Sequence, residues 1–320
     1  MAPYVSVIVP NYNHSTFLED RIQSILNQSF QDFELILLDD CSTDQSLEIL
    51  CKYSSHPKVS HFIVNEENSG SNYKQWNLGV SLAKGQLIWI AESDDTSELN
   101  FLENLAPVFA DKNIVLAYSQ SNRMDSEGLI DGDWFFQTDM LNKPLFDTNF
   151  KMKGIDFIQN YLIKKNVIPN ASAVLFRKSS FELVQGARED VKYCADWLFW
   201  LDILVRDGEV YYTPEKLNNF RFLENSVIGS SSKTSNVPFV KRYDILMRKE
   251  LDFIFNRFNL KSLIALNRKI LVTEILEEIQ FLSKLKRSKS IISIVDFKLL
   301  ILNFTFRQKI SFIKKLLYSI

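Results

Sequence analysis

Two acidic pairs stand where short apolar runs end: Asp39-Asp40 after Leu35–Leu38, and Asp94-Asp95 after Leu87–Ala91. A third run, Val5–Val9, leads into Pro10-Asn11-Tyr12-Asn13. In an open α/β sheet, ligands bind beyond the carboxyl ends of parallel strands. Two acidic pairs gathered there repel each other unless a cation lies between them. A hard divalent ion answers this, because Mg2+ is commonly held by one or two carboxylates together with substrate phosphates. Mg2+ or Mn2+ with a diphosphate is therefore the ligand these residues suggest. An Asp after a strand also serves as a turn or helix-capping residue, and for either pair alone that reading stands beside the first.

The elements that must hold these residues follow from hydropathy spacing. Val5–Val9 is a β-branched strand expected to stop at Pro10. Thr16 with Glu19, and Ser42 with Gln45, have capping-box spacing. Leu18, Ile22, Ile25 and Leu26 then share one helical face, as do Leu47, Leu50 and Cys51. Val59–Val64 reads as a strand. Tyr73, Trp76, Val80 and Ala83 read as a helix with Gly85 as its C-cap. A helix through Phe101, Leu102, Leu105 and Phe109 and a strand over Ile114–Tyr118 follow. This alternation predicts an α/β fold with a doubly wound, mostly parallel sheet. Farther on, Asp125–Asp133 reads as loop, Ala173–Phe176 as strand and Trp197–Val205 as helix. From about residue 237 glycine disappears and helical spacing dominates, as in Ile264, Leu271, Ile275 and Ile279. That predicts a C-terminal helical extension.

The chain has 320 residues, 46% of them apolar, enough for one large domain or two ordinary ones. Its net charge of −2 conceals a split. Residues 241–320 carry 17 Lys+Arg against 7 Asp+Glu, whereas residues 1–240 carry 20 against 32. The acidic part lacks the basic face that nucleic acid requires. Neither G-x-G-x-x-G after a strand nor G-x-x-x-x-G-K-[ST] occurs, so a glycine cradle for phosphate is not expected. The histidines, His14, His56 and His61, form no H-E-x-x-H, which argues against a zinc hydrolase. Three cysteines without a C-x-x-C suggest a reducing, cytoplasmic setting. Neither a leader peptide nor a spanning helix is expected, for want of a basic-then-apolar start or a run of about 20 apolar residues.

VSVIVPNYN (Val5–Asn13), ELILLDDCSTD (Glu34–Asp44), the Asn68/Gly70…Asn77-Leu-Gly79 segment and AKGQLIWIAESDD (Ala83–Asp95) together resemble glycosyltransferase family 2. The resemblance extends over about residues 3–225. It implies a GT-A fold and an inverting transferase that uses a nucleotide sugar, UDP-linked foremost, with Mg2+ or Mn2+. Residue by residue, it implies Asp95 on the metal, Asp94 on ribose or metal, and Asp40 against uracil. Pro10 and Tyr12 would frame the base, with Asp39 and Asn11 beside them. CADWLFWLDI, from Cys194, resembles the family's catalytic-base helix and makes Asp196 the base. Ala195 and Asp202 depart from the usual Glu and Arg of that helix, and capping the Trp197 helix is the alternative role for Asp196. With no histidine after residue 61, a carboxylate is the expected proton acceptor. FRFLENS (Phe220–Ser226) keeps Arg221 and Ser226 of a downstream element but has Leu223 where relatives have His. Arg221 would neutralise diphosphate or be an ordinary surface Arg. Lys74 is a further cation, in a segment one residue longer than usual.

The implied domains are a GT-A catalytic domain over 1–235, with a nucleotide-sugar half to about 118 and an acceptor half beyond it, and a helical, basic extension over 236–320. Residues 284–315 hold nine cations and one acid, Asp296, among large apolar residues. Such a segment suits peripheral contact with an anionic membrane face. Docking on its own domain, or a homodimer interface, is the alternative. The resemblance implies bacterial capsule or other surface polysaccharide synthesis, with a glycan or lipid-linked glycan as acceptor. A nucleotidyltransferase acting on sugar phosphates would need a glycine-rich N-terminal signature, which is absent. A degenerate nucleotide-sugar-binding subunit is the non-enzymatic alternative.

Overall fold

A run of buried, mostly β-branched residues places β1 (Val5–Asn11) inside a sheet, between β2 (Phe33–Asp39) and β4 (Leu87–Ile90), with β3 (Val59–Val64) outside β2. All four run parallel, in register Val5↔Phe33 to Asn11↔Asp39 and Val5↔Leu87 to Ile8↔Ile90. The computed structural model describes residues 2–191, 194–223 and 237–284. They fall in two compact units, Met1–Leu223 and Glu224–Ile320.

In the first unit α1 (Ser15–Leu26), α2 (Ser46–Tyr53) and α3 (Asn72–Leu82) connect these strands. The chain continues through β5 (Thr96–Ser97), α4 (Phe101–Leu105), β6 (Ile114–Met124) and β7 (Ile130–Asp133). It then forms α5 (Phe136–Phe146), β8 (Phe150–Lys153), α6 (Gly154–Phe157), β9 (Val174–Arg177), α7 (Lys178–Val184), α8 (Ala195–Leu204) and β10 (Glu209–Arg221). The sheet order is β3-β2-β1-β4-β9-β6-β10-β5, with β7 on β6 and β8 on β10. It is mixed: β9 runs antiparallel to both neighbours, while the long β6–β10 ladder is parallel. The doubly wound, mostly parallel expectation therefore holds for the half that carries the acidic strand ends. A helix apolar on all sides must be buried, and α8 is, with Trp197, Leu198, Phe199, Trp200 and Leu201 all in the core.

Several local expectations are corrected. Pro10 does not end β1; the strand runs to Asn11. Ala91 donates its amide to the Ile8 carbonyl, so Ile8 and, two residues on, Pro10 face the β4 side, just past the end of β4. The missing N–H of Pro10 therefore removes no ladder bond. Neither capping box forms. Thr16 lies inside α1, and Ser42 binds Asp39 instead. Asp44 caps both helices, accepting from the amides of Ser15 (2.9 Å) and Ser46 (2.9 Å). Gly85 is not a C-cap: a Cβ there would lie 2.6 Å from the Ser6 nitrogen, so glycine serves a close approach to β1. Asp125–Asp133 is a turn followed by β7, paired to β6. Pro107 ends α4 early, in a 3-10 turn.

In the second unit α9 (Val237–Arg257) and α10 (Lys261–Lys284) pack together, burying Met247, Leu251, Phe255, Leu263 and Leu271. The α10 stripe runs through Leu263, Asn267 and Leu271; Leu271 is buried as expected, whereas Leu263 takes the buried place expected of Ile264, and the side chains of Ile275 and Ile279 lie outside the described residues. Asn267 is buried and donates to the Arg248 carbonyl (2.8 Å) and to Asp252 (2.9 Å). No helix among the described residues is long and apolar enough to cross a membrane. The expected membrane segment, 284–315, lies outside the described residues beyond Lys284.

Burial alone would raise the Asp44 carboxyl, but hydrogen bonds from Ser46 and Ser15 outweigh it and hold the group at about 2. A carboxyl lowered in the folded state stabilises above its ordinary range near pH 4 and loses that contribution as pH falls toward 2. Asp44→Ala is expected to cost about 1 kcal/mol in urea unfolding at neutral pH, with the deficit shrinking below about pH 4 and mostly gone by about pH 2.

Candidate active site

The ends of β1 and β2 form a ledge of hydrogen-bonded polar groups. Asn11 donates its side-chain amide to Asp39 Oδ1 (2.9 Å) and Ser42 Oγ (3.1 Å). Asp39 also accepts from the Ser42 hydroxyl (2.6 Å) and amide (2.8 Å). Asp40 is buried and accepts from Asn65 (2.6 Å), Gln75 (2.8 Å), the Ser69 amide (2.9 Å) and hydroxyl (2.8 Å), and Asn68 (3.2 Å). A buried carboxylate with this many donors fixes the loop between β3 and α3. Lys74 lies at the exposed rim, donating to the Ser69 carbonyl (3.1 Å). Pro10 is buried, whereas Tyr12 is 44% exposed, an accessible ring beside the ledge.

The second acidic pair follows β4. Asp95 is buried, with Oδ1 accepting from the Arg221 amide (2.9 Å) and Oδ2 from the Asn170 side chain (2.6 Å). Asn170 in turn accepts from Asn218 (3.0 Å), so Asp95 joins the ends of β4 and β10. The carboxylate of Asp94 accepts no hydrogen bond among the described residues. Glu92 accepts from Asn72 (2.8 and 2.9 Å) and the Trp76 indole (3.0 Å). Desolvation first, and the Asp94 charge second, push Glu92 up to about 8 and Asp95 up to about 7. Arg21 opposes the rise at Asp95, and its own desolvation lowers Arg21 to about 10.

Arg221 differs from the expected diphosphate partner. It is 4% exposed, donating from Nε to the Asp94 carbonyl (2.7 Å) and from Nη1 to the Asp125 carbonyl (2.8 Å). Its guanidinium lies over the Phe17 ring at 4.3 Å. It latches the Asp94 loop to the Asp125 turn and α1.

Asp196 is the second residue of α8, after Cys194 at the N-cap with a φ of 54°, so it does not occupy the N-cap position expected as its alternative role. Desolvation raises its carboxyl, against hydrogen bonds from the Trp197 amide and the Asn166 side chain. The Asn166 bond is 3.1 Å, and the Asp196 amide donates to the Tyr73 hydroxyl at 3.3 Å. Tyr73 is nearly enclosed, and its charged neighbours are Asp196 and Glu92. It thus stands between the base candidate and the acidic cluster. The loop before α8 is tied to α3 by Asn77, which donates to the Ala187 carbonyl (3.0 Å) and Glu189 (2.7 Å). Gly79 lets α3 close on β1, since a Cβ there would meet Ile8 at 2.4 Å.

The residues fit a divalent ion of the diphosphate-bridging kind. Glu92, Asp94 and Asp95 crowd like charges, and Asp94 offers an uncommitted carboxylate. No group of three or more acidic, His or Cys side chains that could hold a metal ion occurs among the described residues. A divalent ion held here would take only part of its shell from these carboxylates and the rest from phosphate oxygens. Asp94 is better placed for this than Asp95, whose two oxygens already accept. Sequence reasoning gave no role to Glu92, Arg21, Asn166 or Tyr73. Only Arg21 left a signal there, as a charge on the apolar stripe of α1.

A family model described as Glycosyl transferase family 2 matches residues 6–182. The chain is 25% identical over 233 residues to a putative teichuronic acid biosynthesis glycosyltransferase, TuaG, of Bacillus subtilis, covering 73% of this chain and 84% of that protein. It resembles the crystal structure of S. aureus TarS 1-349 in complex with UDP-GlcNAc, with a TM-score of 0.61 and 20% identity over 86% of this chain and 72% of that one. It also resembles a mannosyltransferase, PcManGT, from Pyrobaculum calidifontis in complex with GDP-Man and Mn2+, with a TM-score of 0.57 and 14% identity over all of this chain and 85% of that one. These two likenesses show the GT-A type of fold.

Removing the Asp40 carboxylate leaves the buried Gln75 amide and the half-buried donors of Asn65 and Ser69 without this acceptor. Asp40→Ala is expected to cost about 2 kcal/mol or more in denaturant unfolding, and Asp40→Asn, which turns an NH2 toward donors, is not expected to restore it. A loss below about 0.5 kcal/mol would remove Asp40 from its structural role.

Proposed function

The chain belongs to glycosyl transferase family 2, and on that premise we propose that it moves a sugar from a nucleotide-diphosphate donor, UDP-linked foremost, to a hydroxyl of a bacterial surface glycan, with inversion. The observation that carries this reading is the alignment of three groups along α3: the ledge around Asp40, the Glu92–Asp94–Asp95 cluster, and Asp196 beyond Tyr73. They correspond to base, diphosphate and acceptor. TuaG and the UDP-GlcNAc complex of TarS support a polysaccharide setting and a UDP donor.

In this mechanism the Asp39–Asp40 ledge and Tyr12 receive the nucleotide base, with Pro10 and Asn11 shaping the ledge and Lys74 at its rim. Asp94, with Asp95 behind it, would hold Mg2+ or Mn2+ on the diphosphate. Bound there, the ion would neutralise charge developing on the leaving group. Asp196 takes the proton of the acceptor hydroxyl at its carboxylate. Asn166 and the amides of the first turn of α8 hold that carboxylate in place. Desolvation raises the Asp196 carboxyl, and a raised carboxyl is a better proton acceptor than an ordinary one.

We further propose that residues 1–235 form the catalytic domain and 236–320 a helical extension whose basic segment, 284–315, rests on the cytoplasmic face of the membrane. Lipid-linked acceptors would be met there, and each cation near an anionic leaflet contributes on the order of 1 kcal/mol. The alternative is a homodimer through the same segment.

Calorimetry of UDP with Mn2+ tests the donor side. Asp94→Ala and Asp95→Ala are each expected to abolish metal-dependent affinity, and unchanged binding in either removes that residue from the site. Asp196→Asn should keep UDP affinity and lose sugar transfer by about 100-fold or more. Turnover within a few-fold of the parent would place the base elsewhere. Truncation after Lys284 should abolish binding to anionic liposomes at low salt and spare UDP affinity. Full-length protein that ignores such liposomes would favour packing of the segment on its own domain or on a second subunit.

A further inference from the structure

Arg21 lies on the buried face of α1 and is fully enclosed. None of its three guanidinium nitrogens has a hydrogen-bond partner among the described residues. An enclosed charge without such partners is strongly unfavourable, and a side chain of this kind persists only where its surroundings compensate it. Two compensations are present. The guanidinium lies 5.0 Å from the centroid of the Trp89 ring, on β4, where the ring's negative face attracts a cation. Its charged neighbours, strongest first, are Asp95, Glu92 and Asp94, the three carboxylates that follow β4. Arg21 thus supports the acidic cluster from the buried core.

A plain packing role explains none of this. The neighbours of Arg21 on its helix face are Leu18, Ile22 and Ile25, and an unbranched apolar side chain would fill the same space without an enclosed charge. What an apolar residue could not do is oppose the repulsion among Glu92, Asp94 and Asp95.

We propose that Arg21 is a positioning residue: a built-in counter-cation that holds the Glu92–Asp94–Asp95 cluster together without a divalent ion and competes with that ion when it binds. The second half of this statement rests on the metal site proposed above, and the first half does not. The consequence is a donor site formed before metal arrives, at some cost in metal affinity. Two cations attracted to one acidic cluster oppose each other through the low-dielectric core.

The test is a double-mutant cycle on melting temperature in chelator-treated buffer, joined to Mn2+ titration in the presence of UDP. Arg21→Met is expected to lower the metal-free melting temperature by about 5 °C or more. Asp94→Asn, which removes a carboxylate that accepts no hydrogen bond among the described residues, should recover at least half of that loss in the Arg21→Met background. Simple additivity of the two changes overturns the proposal. If Arg21→Met alone does not fold, a folded double variant supports it, and a double variant that also fails overturns it. Arg21→Met should bind Mn2+ about tenfold more tightly than the parent, and Arg21→Lys should bind it like the parent. Equal Mn2+ affinity in the parent and Arg21→Met overturns the competition. A parent that binds no Mn2+ with UDP would instead overturn the metal site, while the metal-free cycle still decides the role of Arg21.

Discussion

Like charges gathered at one end of the sheet are the constraint around which this protein is built. Three carboxylates within four residues, Glu92, Asp94 and Asp95, sit where β4 ends, and the Asp94 charge disfavours ionisation of both Glu92 and Asp95. The fold answers with directed dipoles. Asn72 and the Trp76 indole face Glu92, while Asn170 and the Arg221 amide face Asp95. The last two donors come from segments about 75 and 126 residues away in sequence. Tertiary closure of β10 against β5 is what brings the Arg221 amide to Asp95.

Asp39 and Asp40 are handled differently. Asp39 accepts three hydrogen bonds and Asp40 five, so they act as architecture beneath the ledge. Acidic residues here thus divide into those that order loops and those that retain capacity for a ligand. Arg221 shows the same division among cations, since its charge holds the Asp94 loop closed from within.

The parallel half of the sheet was legible because its strands are continuous apolar runs that end in polar clusters. The acidic ends and Asp196 were legible because of residue type and motif. The antiparallel insertion of β9 was not, because Val174–Arg177 pairs with segments remote in sequence and carries no mark of direction. The helix caps were misread for a related reason. Spacing suggested that Thr16 and Ser42 cap their own helices, whereas Asp44 serves both from the loop after β2. Asn166 and Tyr73 gave no local signal, since their role depends on where α3 and α8 come to lie. Arg21 did give one, because a cation on the stripe of Leu18, Ile22 and Ile25 conflicts with burial.

Helix α3 works like a camshaft. Asn72 and Trp76 engage Glu92, Tyr73 meets Asp196, Gln75 meets Asp40, Asn77 grips the loop before α8, and Gly79 seats the helix on β1. Each follows at a fixed angular offset, about 100° per residue. A point substitution along α3 therefore disturbs one station. Adding or deleting a single residue in its middle would rotate every later station at once, uncoupling the ledge, the acidic cluster and Asp196 from one another. Sequence drift in this helix is thus tolerable in kind but not in length. Variation in the size of the loop between β3 and α3 has to be absorbed before Asn72, in the Asn65–Ser71 turn.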